Sequence, residues 1–255
     1  SDTGGAGKHR GGLSAEVALT LGGIEKAMAL VMTHGAESPN TAGLAGGWPG
    51  STVVQSMGWG AIESGLPNET GKWERFGPKP GLMPMTNRDI YSVIWQGGGG
   101  WGDPLEREAG AVARDVLSGA VTAETAREIY GVVVNGAGVD DATTERQREA
   151  IRKSRVGNFD TDPARRCASQ PIGSLSENLL VAQDERGTHV VSRTGYILST
   201  GNTNWRKGAK SVTFDKLPER YRIDLHADLR CTVHYCPASG ALLAVDFHRR
   251  DEAPS

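Results

Sequence analysis

The sequence predicts an α+β fold rich in β-structure: a glycine-rich β domain carrying short helices, followed by a small all-β module. Three observations predict it. The chain holds 35 glycines in 255 residues, well above ordinary usage, which suits turns and closely apposed backbone rather than a helical bundle. Helix start signals concentrate between Asp103 and Arg155. From about residue 172, short runs of β-branched and aromatic residues recur between turns. The predicted division is a first domain over 1–156, a linker over 157–171 and the β module over 172–255.

In chain order, residues 13–21 and 24–34 read as paired strands separated by Gly22-Gly23, and a loop punctuated by Pro39, Gly43, Gly46, Gly47, Pro49 and Gly50 follows. Val53-Val54 reads as a short strand, and 58–85, with Pro67, Pro78, Pro80 and Pro84, as turn-rich chain that folds against its neighbours. Trp48, Trp59, Trp73, Trp95 and Trp101 fall in this half, where core and interface packing is the plain role and ligand stacking the alternative. Ile90–Trp95 is predicted as a strand. The glycine loop after it ends at Asp103, a plausible N-cap, with Pro104 suited to the first helical position and Glu106 at capping-box spacing. This predicts a helix over 105–118 ending near Gly119. Thr122 caps a second helix that Gly131 ends, and Val132-Val133-Val134 reads as an edge strand. Thr144 with Gln147 opens a third helix to about Arg155. Its Arg146, Arg148, Arg152, Lys153 and Arg155, interleaved with Glu145 and Glu149, read as a solvated face, with an anion site as the alternative. Beyond the polar 158–171 stretch, strands are predicted at 179–181, 188–191, 196–198, 221–223, 232–235 and 242–245.

Composition narrows the function. With 28 basic and 30 acidic side chains and a net charge of -2, the chain offers no field for a phosphate backbone, so nucleic acid is not an expected partner. No apolar run reaches about 18 residues and no charged-then-apolar leader precedes the fold, so neither a membrane span nor a signal peptide is predicted and a cytoplasmic location is expected. Three cysteines make no disulfide framework. Ser1 is compatible with removal of an initiator methionine or with processing of a longer precursor.

Two generic glycine motifs fail. Gly97, Gly99 and Gly102 satisfy G-x-G-x-x-G after a strand, but the nearest acidic candidate at the required distance, Glu124, falls within a predicted helix rather than at a strand end. Gly7-Lys8 is followed by His9 where a phosphate loop carries Ser or Thr, and Asp2 stands where that loop needs Gly.

A more specific resemblance covers the first domain. The run Gly97-Gly98-Gly99-Gly100-Trp101-Gly102-Asp103-Pro104-Leu105-Glu106-Arg107, with Ala111–Val116 and Ala126–Val133, resembles the carboxy-terminal part of the hydantoinase B/oxoprolinase family. The opening Asp2-Thr3-Gly4-Gly5-Ala6-Gly7-Lys8-His9-Arg10-Gly11-Gly12-Leu13 resembles that family's glycine-basic-glycine signature. The resemblance implies that the longer amino-terminal part of such a subunit, with its metal-binding His and Asp residues, lies outside this chain. Implied partners are a hydantoinase A-type ATP-binding subunit and a chain carrying the amino-terminal hydantoinase B part, with ATP and a divalent metal bound by those partners.

The second half carries another likeness. Ser192-Arg193-Thr194-Gly195-Tyr196-Ile197-Leu198, followed by Asn204-Trp205-Arg206, and Cys236-Pro237-Ala238-Ser239-Gly240-Ala241-Leu242 with Leu243–Asp246, are similar to the two knuckles of the acetone carboxylase gamma subunit, a zinc-ribbon-like module. A ribbon needs four thiolates at about 2.3 Å from zinc. Here Ser192 and Thr194 stand in place of the thiols of the first knuckle, Ser239 replaces the second thiol of the other, and Cys236 alone remains. The module is therefore expected to hold together by packing. A weaker zinc set is Cys231, His234 and Cys236, with His226, His248 or His189 as fourth ligand, although strand alternation puts residue 231 on the opposite face from 234 and 236. Cys167 reads as inert.

For chemistry, the resemblance implies ATP-dependent phosphorylation of a stable carbonyl oxygen in a separate, larger subunit, followed by carboxylation of a ketone with bicarbonate or by hydrolysis of a cyclic amide. The gamma-like module favours a subunit of a ketone carboxylase complex of the acetone/acetophenone carboxylase type. A cyclic amide hydrolase of the hydantoinase/oxoprolinase type and a non-catalytic structural subunit are the alternatives. Lys8, His9 and Arg10, between glycine pairs, project from a tight loop as an anion contact or as a solvent-exposed turn. Gly97, Gly98, Gly99, Gly100 and Trp101 either line a passage for activated substrate between subunits or pack against the partner. No residue of the chain reads as a general base.

Overall fold

The computed structural model describes residues 1–255 except 64–65, 68–70, 137, 253 and 255. The first half contains β1 (Glu16–Leu19), β2 (Lys26–Val31), β3 (Val54–Trp59), β4 (Ile62–Glu63), β5 (Leu66–Pro67), β6 (Lys72–Phe76), β7 (Gly81–Thr86) and β8 (Ile90–Ile94). Helices α1 (Ala109–Leu117) and α2 (Ala123–Glu128), the short pair β9 (Val134–Asn135) and β10 (Gly138–Val139), and helix α3 (Asp141–Val156) follow. The second half is β11 (Pro171–Ser174), β12 (Leu179–Asp184), β13 (Gly187–Ser192), β14 (Ile197–Thr200), β15 (Lys210–Phe214), β16 (Leu229–Tyr235) and β17 (Leu242–Arg249). The fold is α+β and β-rich, as predicted.

Pairing departs from the nearest-neighbour expectation. β1 and β2 do not pair with each other: β1 joins the sheet β1-β8-β3-β6, and β2 pairs with β7. The stretch 58–85 is not mainly turns, because β6 and β7 lie in it. Pro84 is tolerated in β7 because a two-stranded sheet leaves β7 an edge whose N–H groups need no partner. In the second half, β11-β12-β13-β14 and β15-β16-β17 form two antiparallel meanders. Tyr221–Ile223 is not a strand, since a 3-10 turn over Glu219–Tyr221 ends at Arg222 with φ 53°. β15, unpredicted, alternates as a strand should over Lys-Ser-Val-Thr-Phe.

The helices also begin elsewhere than expected. Asp103 does cap, with Oδ1 accepting from Leu105 N, but it caps a single 3-10 turn, Pro104–Glu106. Helix α1 starts afresh at Ala109, where Glu108 accepts from Gly110 N, and Glu106 turns away to Arg193 instead of closing a capping box. Thr122 caps α2 as predicted. For α3 the cap is Asp140, which accepts from Thr143 N, and Thr144 is buried with its hydroxyl accepting from Val133 N. Nor is the basic side of α3 one solvated face. Arg146 and Lys153 are exposed, whereas Arg148 donates to the carbonyls of Tyr130 and Arg107, and the Arg155 side chain is only 10% exposed.

The largest core lies between the helices and the β15-β16-β17 sheet: Val112, Ala126, Tyr130 and Val132 meet Cys231, Val233, Tyr235 and Leu242. Residues on both sides of the 157–171 stretch therefore share one core. That stretch is itself packed, since Asp160 accepts from the Tyr196 hydroxyl and Cys167 N donates to Gly195 O. Among the tryptophans only Trp48 lies in this core, its ring 4.0 Å from that of Tyr221. A second core, Val31, Met57, Met83 and Met85, fills the inner face of the β2–β7 pair.

The outer face of that pair is apolar as well. Met28 stands opposite Pro84 and Leu30 opposite Leu82, and Met28, Leu30 and Leu82 are 61%, 61% and 64% exposed. Among the described residues nothing covers this cross-strand cluster. Among the described residues no helix is long and apolar enough to cross a membrane.

All three cysteines are buried and free, and burial pushes the Cys231 thiol up to about 12. A thiolate that is both scarce and inaccessible reacts slowly. Titration of the native protein with Ellman's reagent is expected to find no fast-reacting thiol, and all three after urea is added; a fast native thiol would show that the packing around at least one of the three is wrong.

Candidate functional site

The predicted site residues meet in a stack of three backbone segments. Residues 3–12, 41–50 and 97–102 run side by side, with Gly5 N donating to Gly98 O (2.8 Å), Gly98 N to Gly12 O (2.9 Å), Trp48 N to Ala6 O (2.7 Å) and Gly100 N to Trp48 O (2.8 Å). His9 and Trp101 exchange both backbone hydrogen bonds at 2.9 Å. The segments also touch face to face. A Cβ on Gly99 would lie 1.9 Å from Ala42 O, and one on Gly47 2.1 Å from Gly100 O. Only glycine permits such an approach. Gly97 to Gly100 thus spend their freedom on packing within this chain, and they hold the opening segment in place.

The three basic residues diverge. Lys8 Nζ is 2.6 Å from Glu177 Oε1 and lies over the Trp101 ring. Arg10 pairs with Asp115 (3.2 Å), which also takes Arg107 (2.8 Å). His9 is exposed and its ring centroid is 5.3 Å from that of Trp101. The structure therefore sends Lys8 towards the second half, ties Arg10 to α1 and leaves His9 at the surface. None of these partners was visible in the local sequence.

Asp103 is the residue whose reach sequence reading underestimated. It is 1% exposed. Besides capping Leu105, its Oδ2 accepts from Leu242 N (2.8 Å) and from Arg155 Nη1 (2.7 Å), and its Oδ1 from Arg155 Nη2 (3.1 Å). Arg155 also donates to Gly240 O (3.0 Å) and stacks on Tyr235. One buried carboxylate thereby fixes the glycine stack, α3 and β17 to each other.

Beside this junction opens a cleft of about 510 Å³ lined by Lys8, Glu106, Arg152, Ser192, Arg193 and Ser239, among others. Glu106 accepts from Arg193 (3.1 Å), and Arg193 also lies 3.7 Å from Glu177. Burial pushes the Glu106 carboxyl above the usual range, and Arg193 only partly offsets it. Ser192 and Thr194, both predicted to replace thiols, hydrogen-bond each other at 2.9 Å on one wall, and Ser239 stands on another.

The weaker zinc set does not converge. Cys231 belongs to the helix-facing core and Cys236 to the cluster with Tyr196 and Leu243. His234 Nδ1 shares a hydrogen bond with Ser211 Oγ (2.8 Å), and its Nε2 is 3.0 Å from Asp246. His189 is held likewise by Thr200 and Asp184. Among the described residues no group of three or more His, Cys, Asp or Glu side chains could hold a metal ion. The two knuckles meet by packing, Tyr196 and Leu198 of the first against Cys236 and Leu243 of the second.

Asp246 supplies a pH-dependent strut. Burial alone would raise its carboxyl, but His234 and the bidentate Arg206 outweigh that and hold it below the usual range. A depressed folded-state pKa contributes stability that is fully present above the unfolded carboxyl's value of about 3.9 and is lost as pH falls on through the lower folded-state value. Thermal melts of Asp246→Asn are expected to be lower than wild type at pH 7, with the difference shrinking as the carboxylate is protonated at acid pH; a pH-independent difference would assign the loss to shape alone.

Residues 1–104 match the Hydantoinase B/oxoprolinase family, the part of the chain that builds the glycine stack. The chain is 32% identical over 188 residues to the acetone carboxylase alpha subunit of Xanthobacter autotrophicus, covering 61% of this chain and 24% of that protein. It is 34% identical over 152 residues to the caprolactamase subunit beta of Pseudomonas jessenii (59% and 25% covered). The acetophenone carboxylase delta subunit of Aromatoleum aromaticum is 27% identical over 175 residues (60% and 26%). In three dimensions the chain resembles nucleotide-free acetone carboxylase with a TM-score of 0.53 and 30% identity, over 64% of this chain and 25% of that one. The chain thus spans about a quarter of the length of these relatives.

Proposed function

We propose that the chain is a subunit of an ATP-dependent ketone carboxylase complex, in which it completes a hydantoinase-B-type subunit. The observation that carries this reading is the combined sequence and structural similarity to acetone carboxylase, with an acetophenone carboxylase subunit as a further relative. The uncovered Met28, Leu30 and Leu82 face supports a partner, because contiguous apolar surface of this kind marks interaction sites. The partners are a hydantoinase A-type subunit, which binds ATP and divalent metal and phosphorylates the ketone oxygen, and a chain carrying the amino-terminal hydantoinase B part. The complex works in the cytoplasm. The chain's own contribution is a rigid wall, built on Gly97 to Gly100, with Lys8 lining the cleft and the Trp101 ring beside its ammonium.

The caprolactamase relative favours a second reading, ATP-dependent hydrolysis of a cyclic amide by the same kind of complex. The two separate cleanly. The chain is purified with the partners it holds in its native host, and ATP hydrolysis is followed on small ketones with and without bicarbonate and on lactams. Ketone- and bicarbonate-dependent turnover supports the first reading. Lactam-dependent turnover indifferent to bicarbonate supports the second, and a complex that hydrolyses no ATP with either substrate class sinks both.

A further inference from the structure

Several hydrogen-bond donors around the cleft beside Asp103 have no acceptor among the described residues, and two buried acceptors at its rim, Glu177 Oε2 and Asn178 Oδ1, are likewise unpaired. The side chain of Arg152, half-buried on α3, has no hydrogen bond or ion pair among the described residues. Ser192 and Thr194 own two hydroxyl protons and use one between them, since Ser192 Oγ otherwise accepts from Tyr196 N. Ser239 Oγ accepts from Ala241 N, and its own proton has no protein acceptor. Arg193 and Lys8 stand at the rim with Glu106 and Glu177 as partners, so three cations face two carboxylates and one positive charge is left over. The walls are well fixed: Gly240, at φ +67°, lets the turn after Cys236 press against the Arg152 carbonyl, 2.4 Å from where a Cβ would sit.

We infer that this cleft binds a small oxyanion of the carboxylate, bicarbonate or phosphate type, received by the Arg152 guanidinium and the hydroxyls of Thr194 and Ser239. A planar guanidinium with free N–H groups suits two oxygens at once, and the hydroxyl protons fill the remaining lone pairs. The volume, about 510 Å³, falls in the ordinary range for small-molecule sites. The inference deepens the proposed function, because both candidate reactions handle a bicarbonate or carboxylate, but it moves the anion contact from the Lys8-His9-Arg10 loop to the far side of the cleft.

Binding is read without turnover, so it stands or falls separately from the reaction. The full chain, labelled with ¹⁵N, is titrated with bicarbonate, acetate and inorganic phosphate at constant ionic strength, with chloride as reference, while the Thr194 and Ser239 amides are followed. Saturable shifts are expected for at least one of the three oxyanions, and the tightest identifies the source. Arg152→Gln is expected to weaken that binding by about tenfold, the usual size for losing a charged hydrogen-bond donor, and Thr194→Val combined with Ser239→Ala by a smaller factor, with unchanged melting temperatures. Shifts that do not saturate, that chloride reproduces, or that Arg152→Gln leaves unaltered in a folded protein overturn the site.

Discussion

Gly99→Ala is expected to prevent folding, or to destabilise the protein by more than about 4 kcal/mol, the exceptional range reserved for changes a structure cannot absorb. The added methyl would meet the Ala42 carbonyl oxygen at 1.9 Å, where ordinary contact begins at 3.4 Å. The obstacle is backbone, so no rotamer change relieves it, and residue 42 belongs to a segment already pinned between Gly97 and Gly100 by hydrogen bonds. Gly12→Ala is the matched control: its Cβ meets nothing within 4 Å and its φ is not in the left-handed region. That variant is expected to stay within about 1 kcal/mol of wild type. Urea unfolding of both, or the soluble yield where Gly99→Ala does not fold, checks the contrast. Equal stabilities would mean that the three segments are not stacked as described.

Asp103→Ala carries the second large effect, about 3–5 kcal/mol, the usual result of removing one partner of a buried pair. The guanidinium of Arg155, its side chain 10% exposed, would keep its charge and lose both of its hydrogen bonds to Asp103, while Leu242 N and Leu105 N would lose their acceptor. If the stranded charge is the main penalty, adding Arg155→Leu should recover part of the loss, so the double variant is expected to be more stable than Asp103→Ala alone. Urea midpoints of the three variants measure this. A single-variant loss below about 1 kcal/mol would show that Asp103 is only the local cap its sequence suggests.

The same residue shows what the sequence could and could not disclose. Its capping role was legible because Leu105 is two positions away, whereas Arg155 and Leu242 lie 52 and 139 residues distant and no local pattern connects them. Strand β8, the Thr122 cap and β12, β13, β16 and β17 follow local rules of residue type and spacing and were foreseeable. The β1–β8 and β2–β7 pairings were not, since adjacency along the chain favoured β1 with β2. The glycine excess announced close backbone contact without saying that the contact would be with residues 3–12 and 41–50 of the same chain. At the cleft, Lys8 could be named from its glycine neighbours, but its partner Glu177 is 169 residues on. Arg152 and Arg155 looked alike in the helix pattern, three residues apart, and only packing separates the free guanidinium from the buried one.

The most direct test of the whole account is the mass of the particle in which this chain travels. Light scattering on material purified gently from the native host should find the chain bound to larger companions, one of them the ATP-binding subunit, and Leu30→Glu with Leu82→Glu should release it as a folded monomer. A wild-type chain that elutes alone and carries out its own turnover would contradict the account.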